Sequence, residues 1–297
     1  MEIVPLYKYC RVDKYSLNNL SANNIFLNHH SAFNDPFECR CEIIYGFPLL
    51  SDPSDRLIAV LNAWGFSDPE DDLVKEHYPE FAESLEEGEP IIELFIERAR
   101  ISCFSERNNN LLMWAHYGDG LRGFCVEFDP DLIIPAGRDA RVYKVLYEDS
   151  PAVIDASVMA MLYDQRDWNN DAYFETQTLS NFYGDDRSAD LEMYTVGFKC
   201  ASERLREIYQ KMLATKPIAW SYEEELRLID FDSRDNDLGV LLEYSAMSVK
   251  SVIIGERMSA EKQIQLIAII KSVRPGLRIQ RAIMVKGSFD IEVVDFE

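Results

Sequence analysis

Apolar and polar positions alternate with a period of two in several short stretches of this chain, and repeat with helical spacing in longer ones. Residues 6–9, 24–28, 101–104 and 123–128 read as strands, as do 141–147, 225–231 and 251–255. In 123–128, Phe124, Val126 and Phe128 alternate with Cys125 and Glu127, which predicts a sheet with one buried face. Short helices are expected around 15–20 and 111–117. Between 51 and 97 the period becomes helical: Leu57, Val60, Leu61 and Trp64 share a face, and so do Ile91, Leu94 and Phe95.

A long helical region follows over 153–213. It ends in a stripe of Leu191, Tyr194, Phe198, Ala201, Leu205, Ile208 and Met212, which either packs on a core or forms a coiled-coil partner surface. A last helix, capped by Ser259 and reaching about 273, is expected to bury Ile264, Ile267 and Ile270 before a closing β segment. There is no internal repeat and no Gly-, Ser- or Pro-rich linker. The pattern therefore predicts the α+β class. One mixed domain spans 1–297, with a central, largely antiparallel sheet and long helical insertions near 51–97 and 151–214.

Charge refines this picture. The 297 residues carry a net charge of −22, which would repel a long nucleic acid if it were spread evenly. It is not. Residues 51–97 hold 14 acidic and 2 basic residues, and residues 164–192 hold 8 and 2. By contrast, 199–216 has 5 basic and 2 acidic residues, and 250–286 has 8 and 2. The acidic segments are either solvated helix faces or the counterpart of a locally basic surface for a phosphate-bearing ligand. Bulk nucleic acid is disfavoured as a partner, and the chain points to no particular protein partner.

The first residues, Met1 to Lys8, lack a cationic and an apolar region of the secretory kind, and no apolar run has the length of a membrane span. The expectation is a cytoplasmic chain with no membrane association. The six scattered cysteines fit reduced thiols, since Cys39 and Cys41 are too close in sequence for the usual zinc pair. No metal ligand set is assigned. Walker A, G-x-G-x-x-G, H-E-x-x-H and G-x-S-x-G elements do not occur.

Three polar constellations remain as candidate chemistry. In the first, residues 31–38, a strand runs into a turn carrying Asn34 and Asp35, which either cap the turn or face a ligand. In the second, a strand delivers Ser105, Glu106 and Arg107, and a helix then presents Trp114, His116 and Tyr117. An indole, an imidazole and a phenol within four positions suit stacking on a ring and bonding its substituents, with His116 able to titrate near neutrality. In the third, residues 216–229, a strand places Glu225 and Arg227 on one face and Leu226 and Leu228 on the other. An arginine beside a carboxylate keeps it ionised. Such a glutamate either stabilises a cationic transition state, bonds a ribose hydroxyl, or forms a structural ion pair.

Together with residues 250–259, these segments resemble the bacterial family catalogued as domain of unknown function 2971. The shared pattern is an LYKY-like strand, an NDPFE turn, a CFSE block with LLMWAHYGDG and RGFCVEFD, a K…W.YE.E.R element and a late I.G..MS element. The resemblance runs from Leu6 to about Ser259. It marks Asn34, Asp35, Ser105, Trp114, His116, Tyr117, Gly123, Glu127, Trp220, Glu223, Glu225, Arg227 and Gly255. It implies an architecture and a set of positions rather than a reaction.

Three functions compete. The first is an NAD-using transferase of the ADP-ribosyltransferase type, acting in phage defence or as a toxin. Glu225 would stabilise an oxocarbenium-like state with His116 as its catalytic companion, and Trp114 and Tyr117 would line the pocket. Asn34, Asp35, Ser105, Glu127, Trp220, Glu223 and Arg227 complete the candidate ligand-binding set, and NAD is the candidate cofactor. The first strand departs from that type, offering Tyr7-Lys8-Tyr9 where histidine or arginine is usual. The second is a non-catalytic module that recognises a nucleotide-like ligand in the same pocket. The third is a metal-dependent nuclease in which Glu225-Leu226-Arg227 stands in place of E-x-K.

Overall fold

A computed structural model describes residues 4–88, 90–231 and 239–296. In chain order, β1 (Leu6–Cys10), α1 (Lys14–Ala22), β2 (Asn24–Asn28) and β3 (Cys41–Ile44) lead into α2 (Asp55–Trp64), α3 (Asp72–Glu86) and α4 (Ile92–Arg98). Next come β4 (Arg100–Ser105), α5 (Leu111–His116), β5 (Phe124–Phe128), β6 (Ala140–Lys144), β7 (Leu146–Glu148) and β8 (Ala152–Asp155). Two long helices, α6 (Ala156–Tyr183) and α7 (Ser188–Leu213), precede β9 (Thr215–Pro217), β10 (Glu225–Asp230), β11 (Gly239–Glu243) and β12 (Val249–Gly255). The chain closes with α8 (Ala260–Val273), β13 (Arg278–Met284) and β14 (Ile291–Asp295).

The class is the expected one, a mixed α/β fold with a largely antiparallel central sheet and long helices. Two compact units divide the chain. One comprises Met1–Cys39, Phe95–Ser150 and Ala214–Glu297; the other comprises Arg40–Leu94 and Pro151–Leu213. The second unit thus takes in most of both acidic segments. It holds α2, α3, α6 and α7, and its small sheet pairs β3 with β8 in parallel. Within it, Arg56 reaches Asp155 at 2.7 Å.

The first unit carries a ten-stranded sheet among the described residues, antiparallel throughout except where β12 runs parallel to β13. The sheet branches at β4. One edge of β4 pairs with β10 along its whole length, from Glu225↔Ser105 to Asp230↔Arg100. Its other edge meets β1 only at Tyr7↔Ser105 and β2 only at Asn28↔Ile101. Between those two points β1 and β2 splay away from β4. Lys8 reaches across the gap, its Nζ donating to Ser102 Oγ at 2.8 Å and to the Cys103 carbonyl at 3.0 Å. The ammonium thereby satisfies a backbone acceptor that a neighbouring strand would otherwise take.

Five local expectations need correction. The 123–128 strand has two buried faces rather than one. Phe124, Val126 and Phe128 join the main core, while Cys125 packs in a second cluster with Tyr9, Met113, Trp114 and Ile253. In α8 the inward residues are Leu266 and Ile270, and Ile264 is 70% exposed. Ile92 is the buried residue of α4, while Ile91 and Leu94 are exposed. The predicted strand 141–147 breaks at Val145, so that β6 pairs with β10 and β7 runs parallel to β9. The helical run over 153–213 starts as β8 and is interrupted at Gly184, whose φ of 73° is left-handed backbone that glycine adopts without strain. Gly123 is needed for a different reason: a Cβ there would lie 2.1 Å from the Cys10 carbonyl oxygen.

Candidate functional site

β10 alternates as its sequence suggests. Leu226 and Leu228 enter the main core, and Glu225 and Arg227 point to the opposite face, where both are buried. A charge buried this deeply needs partners, and β9 and the turns before β10 and β3 supply them. Lys216 Nζ lies 2.6 Å from Glu223 and 3.0 Å from Glu225. Arg227 lies 3.0 Å from Glu225 through Nε and 2.5 Å from Glu38 through Nη1. Tyr117 donates its hydroxyl to the other Glu223 oxygen at 2.7 Å. Tyr117, Glu223, Lys216, Glu225, Arg227 and Glu38 therefore form one chain of alternating charge, and no ionised side chain in it is more than 5% exposed. Glu224, between the two inward acids, has a φ of 42°. This left-handed kink turns Glu223 and Glu225 inward while Glu224 pairs outward with Arg107.

Three carboxylates share two cations, so they titrate apart. Burial raises the Glu225 pKa, but Arg227 and Lys216 outweigh it and hold the carboxyl down at about 2. For Glu223 and Glu38 burial wins, and both are raised above the ordinary glutamate value. Burial alone would lower Lys216, yet Glu225 and Glu223 keep it charged. Burial, followed by the bond to Glu223, raises Tyr117. One Glu38 oxygen is buried with no hydrogen-bond partner.

The sign for stability follows from linkage. A carboxyl that ionises near 2 in the fold and at 4.5 when unfolded contributes stability above about 4.5 that disappears as the pH falls toward 2. The raised Glu223 and Glu38 act in the opposite sense, losing their contribution as the pH rises through their folded values. Urea midpoints measured across this acid range should therefore fall more steeply for the natural chain than for Glu225→Gln. Parallel acid arms would contradict the assignment.

The gap between β1 and β4 is a pocket of about 200 Å³. Its lining includes Lys8, Asn34, Tyr117, Lys216, Glu223 and Glu225. A wider hollow of about 780 Å³ shares Tyr9, Phe33, Asn34 and Tyr117 with it and adds Arg11, His116, Trp220 and Tyr222. The outer space is lined by aromatic rings and the inner one ends on charge.

Of the residues singled out in the sequence, Asn34, Tyr117, Glu223 and Glu225 thus meet at one pocket. His116 and Trp220 lie in the hollow, where His116 faces Tyr222 at 6.2 Å and Trp220 lies under the Lys216 ammonium at 4.8 Å. Arg227 stands behind Glu225 rather than in the pocket lining. The others have structural partners. Trp114 is fully buried, edge-on to Tyr9, and donates Nε1–H to the Asn108 carbonyl. Ser105 is fully buried and donates to the Glu223 carbonyl at 2.7 Å. Asp35 is buried and accepts the Phe37 N–H at 2.9 Å, closing the turn. Glu127 accepts from Ser251 at 2.5 Å, on β5 away from the pocket lining. Sequence reasoning left out Lys216, Glu38 and Lys8. All three lie inside the motifs named above, and a lysine within nine residues of two strand-edge glutamates was the available signal for Lys216.

These features define a class: a mixed α/β protein whose branched sheet opens a small pocket over a buried chain of charge. Residues 113–228 match the family model described as "Protein of unknown function (DUF2971)", the family that the sequence resembles. The matched span begins inside α5 and ends inside β10, so it takes in Tyr117, Lys216, Glu223, Glu225 and Arg227. No curated protein and no solved structure matches the chain. Among the described residues no helix is long and apolar enough to cross a membrane. No disulfide joins the six cysteines.

Proposed function

We propose that the pocket between β1 and β4 recognises a small nucleotide-like ligand. The observation that carries this reading is the meeting of Asn34, Tyr117, Lys216, Glu223 and Glu225 at a pocket that adjoins an aromatic hollow. Carboxylates accept from sugar hydroxyls, and aromatic faces stack on a base. Arg11, on the hollow's rim, suits a phosphate. The ring would lie among Tyr9, Phe33, His116 and Tyr222, with the hydroxyls toward Glu223. Calorimetric titration with adenosine, ATP and NAD tests this. At least one should bind, and Glu223→Gln and Tyr117→Phe should each weaken it about tenfold, the worth of roughly one charged hydrogen bond. Absence of binding by all three ligands would remove the reading.

A second reading, the NAD-using transferase, draws on one feature of Glu225. Its carboxylate stays ionised at the pocket floor, as stabilisation of an oxocarbenium-like state requires. Lys216 and Arg227 already neutralise it, however, which leaves Glu223 as the carboxylate better able to turn toward a substrate. His116 lies outside the inner lining and bonds to neither acid, so on this reading it would be a ring-stacking residue rather than a catalyst. Release of nicotinamide from NAD, lost in Glu223→Gln, is the expected result. Tight NAD binding without release would leave recognition alone.

A further inference from the structure

Away from the pocket, two histidines and a glutamate converge just after β2. His29 and His30 lie side by side, their ring centroids 4.1 Å apart and tilted by 42°. His29 Nε2 is 3.2 Å from one oxygen of Glu97, and His30 Nε2 is 3.5 Å from the other. All three ligand atoms fall within 4.8 Å of one another. A tetrahedral cation with bonds of about 2.0–2.2 Å holds its ligand atoms roughly 3.3–3.6 Å apart. Ligand atoms up to 4.8 Å apart reach such a polyhedron by closing about 1 Å.

One further observation points the same way. His30 Nε2 is buried, and beyond its 3.5 Å approach to Glu97 it has no hydrogen-bond partner, a poorly satisfied atom that a cation would satisfy. On the far side of the other ring, His29 Nδ1 lies 2.7 Å from Ser31 Oγ. The Ser31 backbone N–H also donates to Nδ1 at 3.2 Å, so the ring proton sits on Nε2 toward Glu97, and a cation ligated there would displace that proton. Glu97 is 62% exposed on its side chain, which gives an ion entry from solvent.

We propose that His29, His30 and Glu97 form a binding site for a borderline divalent cation of the zinc class. Two imidazoles and one carboxylate suit such an ion better than Mg²⁺ or Ca²⁺, which take oxygen ligands, or Cu⁺, which takes sulfur. Three protein ligands leave a coordination position for water. The ion would clamp the turn after β2 to the end of α4, and that turn continues into Phe33 and Asn34 of the pocket.

The test uses the full chain, stripped with chelator, kept reduced and titrated with Zn²⁺, Co²⁺ and Mg²⁺. One Zn²⁺ per chain should bind and raise the thermal midpoint, and Co²⁺ should give the visible absorption of a low-coordinate histidine site. Mg²⁺ should do neither. Glu97→Gln and His30→Gln should weaken Zn²⁺ by more than the ~10–100-fold that loss of an outer-shell partner costs. His77→Ala, an exposed histidine outside the cluster, should bind as the natural chain does. Equal Zn²⁺ affinity in the natural chain and Glu97→Gln would overturn the site, as would the absence of binding. If His30→Gln does not fold, Glu97→Gln decides alone, because its side chain is mostly exposed.

Discussion

Arg227→Leu is expected to cost this protein about 3–5 kcal/mol of folding stability, the range for stripping one partner from a buried ion pair. The guanidinium is fully buried and answers two carboxylates, Glu225 at 3.0 Å and Glu38 at 2.5 Å. Leucine fills part of the volume but leaves both acids without their nearest countercharge. Lys216 still holds one face of Glu225; Glu38 keeps the weak Cys39 thiol bond at 3.9 Å, and its second oxygen has no hydrogen-bond partner. Adding Glu38→Gln to Arg227→Leu should therefore recover part of the loss. The exposed pair Arg107–Glu224 is the control: at 2.8 Å it has comparable geometry, yet Arg107→Leu should cost under about 1 kcal/mol because solvent screens it. Guanidinium unfolding of the four chains checks all of this. Equal losses for the two arginines would mean that the buried chain of charge is not what holds the site.

Trp114→Ala should cost a similar amount, about 3–5 kcal/mol, through an unrelated mechanism. Trp114 is fully buried, and its removal empties the contact with Tyr9 and orphans the Asn108 carbonyl. Its place in the motif beside His116 and Tyr117 suggests a ligand contact, whereas its surroundings are those of a core residue. The folded fraction should thus bind a pocket ligand with unchanged affinity. His116→Ala inverts the pattern: stability within about 0.5 kcal/mol, as at an exposed position, and weaker binding of any ligand seated in the hollow. Reduced affinity per folded molecule in Trp114→Ala would contradict the placement.

The sequence made the alternation of β10 legible because a strand sorts its side chains by parity alone. Leu226 and Leu228 had to share a face, and Glu225 and Arg227 the other. What parity does not carry is the cover over the second face. Glu38 reaches Arg227 from the turn after Asn34, a long-range contact with no local signature. The same limit explains 123–128, where the expected exposed face, shared with Ile253 on the neighbouring strand, packs against Met113 and Trp114. In α8 the failure is one of degeneracy. Ile264, Leu266, Ile267, Ile269 and Ile270 surround most of the helix, so spacing does not choose which face turns inward. Asn34, Tyr117, Glu223 and Glu225 were found because polar residues stood where strands and helices end. Asp35 and Ser105 stood there too, and serve turns and strand ends instead.

The chain of alternating charge also sets a timetable for synthesis. Arg227 follows Glu38 by 189 residues, an interval of roughly 10–40 s at ordinary translation rates. Throughout it, β4 lacks the strand that pairs along its full length, and Glu38 must stay hydrated because no cation has arrived to replace water. Lys216 and both remaining glutamates emerge only within the last dozen residues of that wait. The unit built from three separated segments therefore does not close piece by piece as it leaves the ribosome. Its β4–β10 edge closes only after β10 has emerged, and a chain cut short before residue 225 exposes a half-built sheet edge to whatever strand is near.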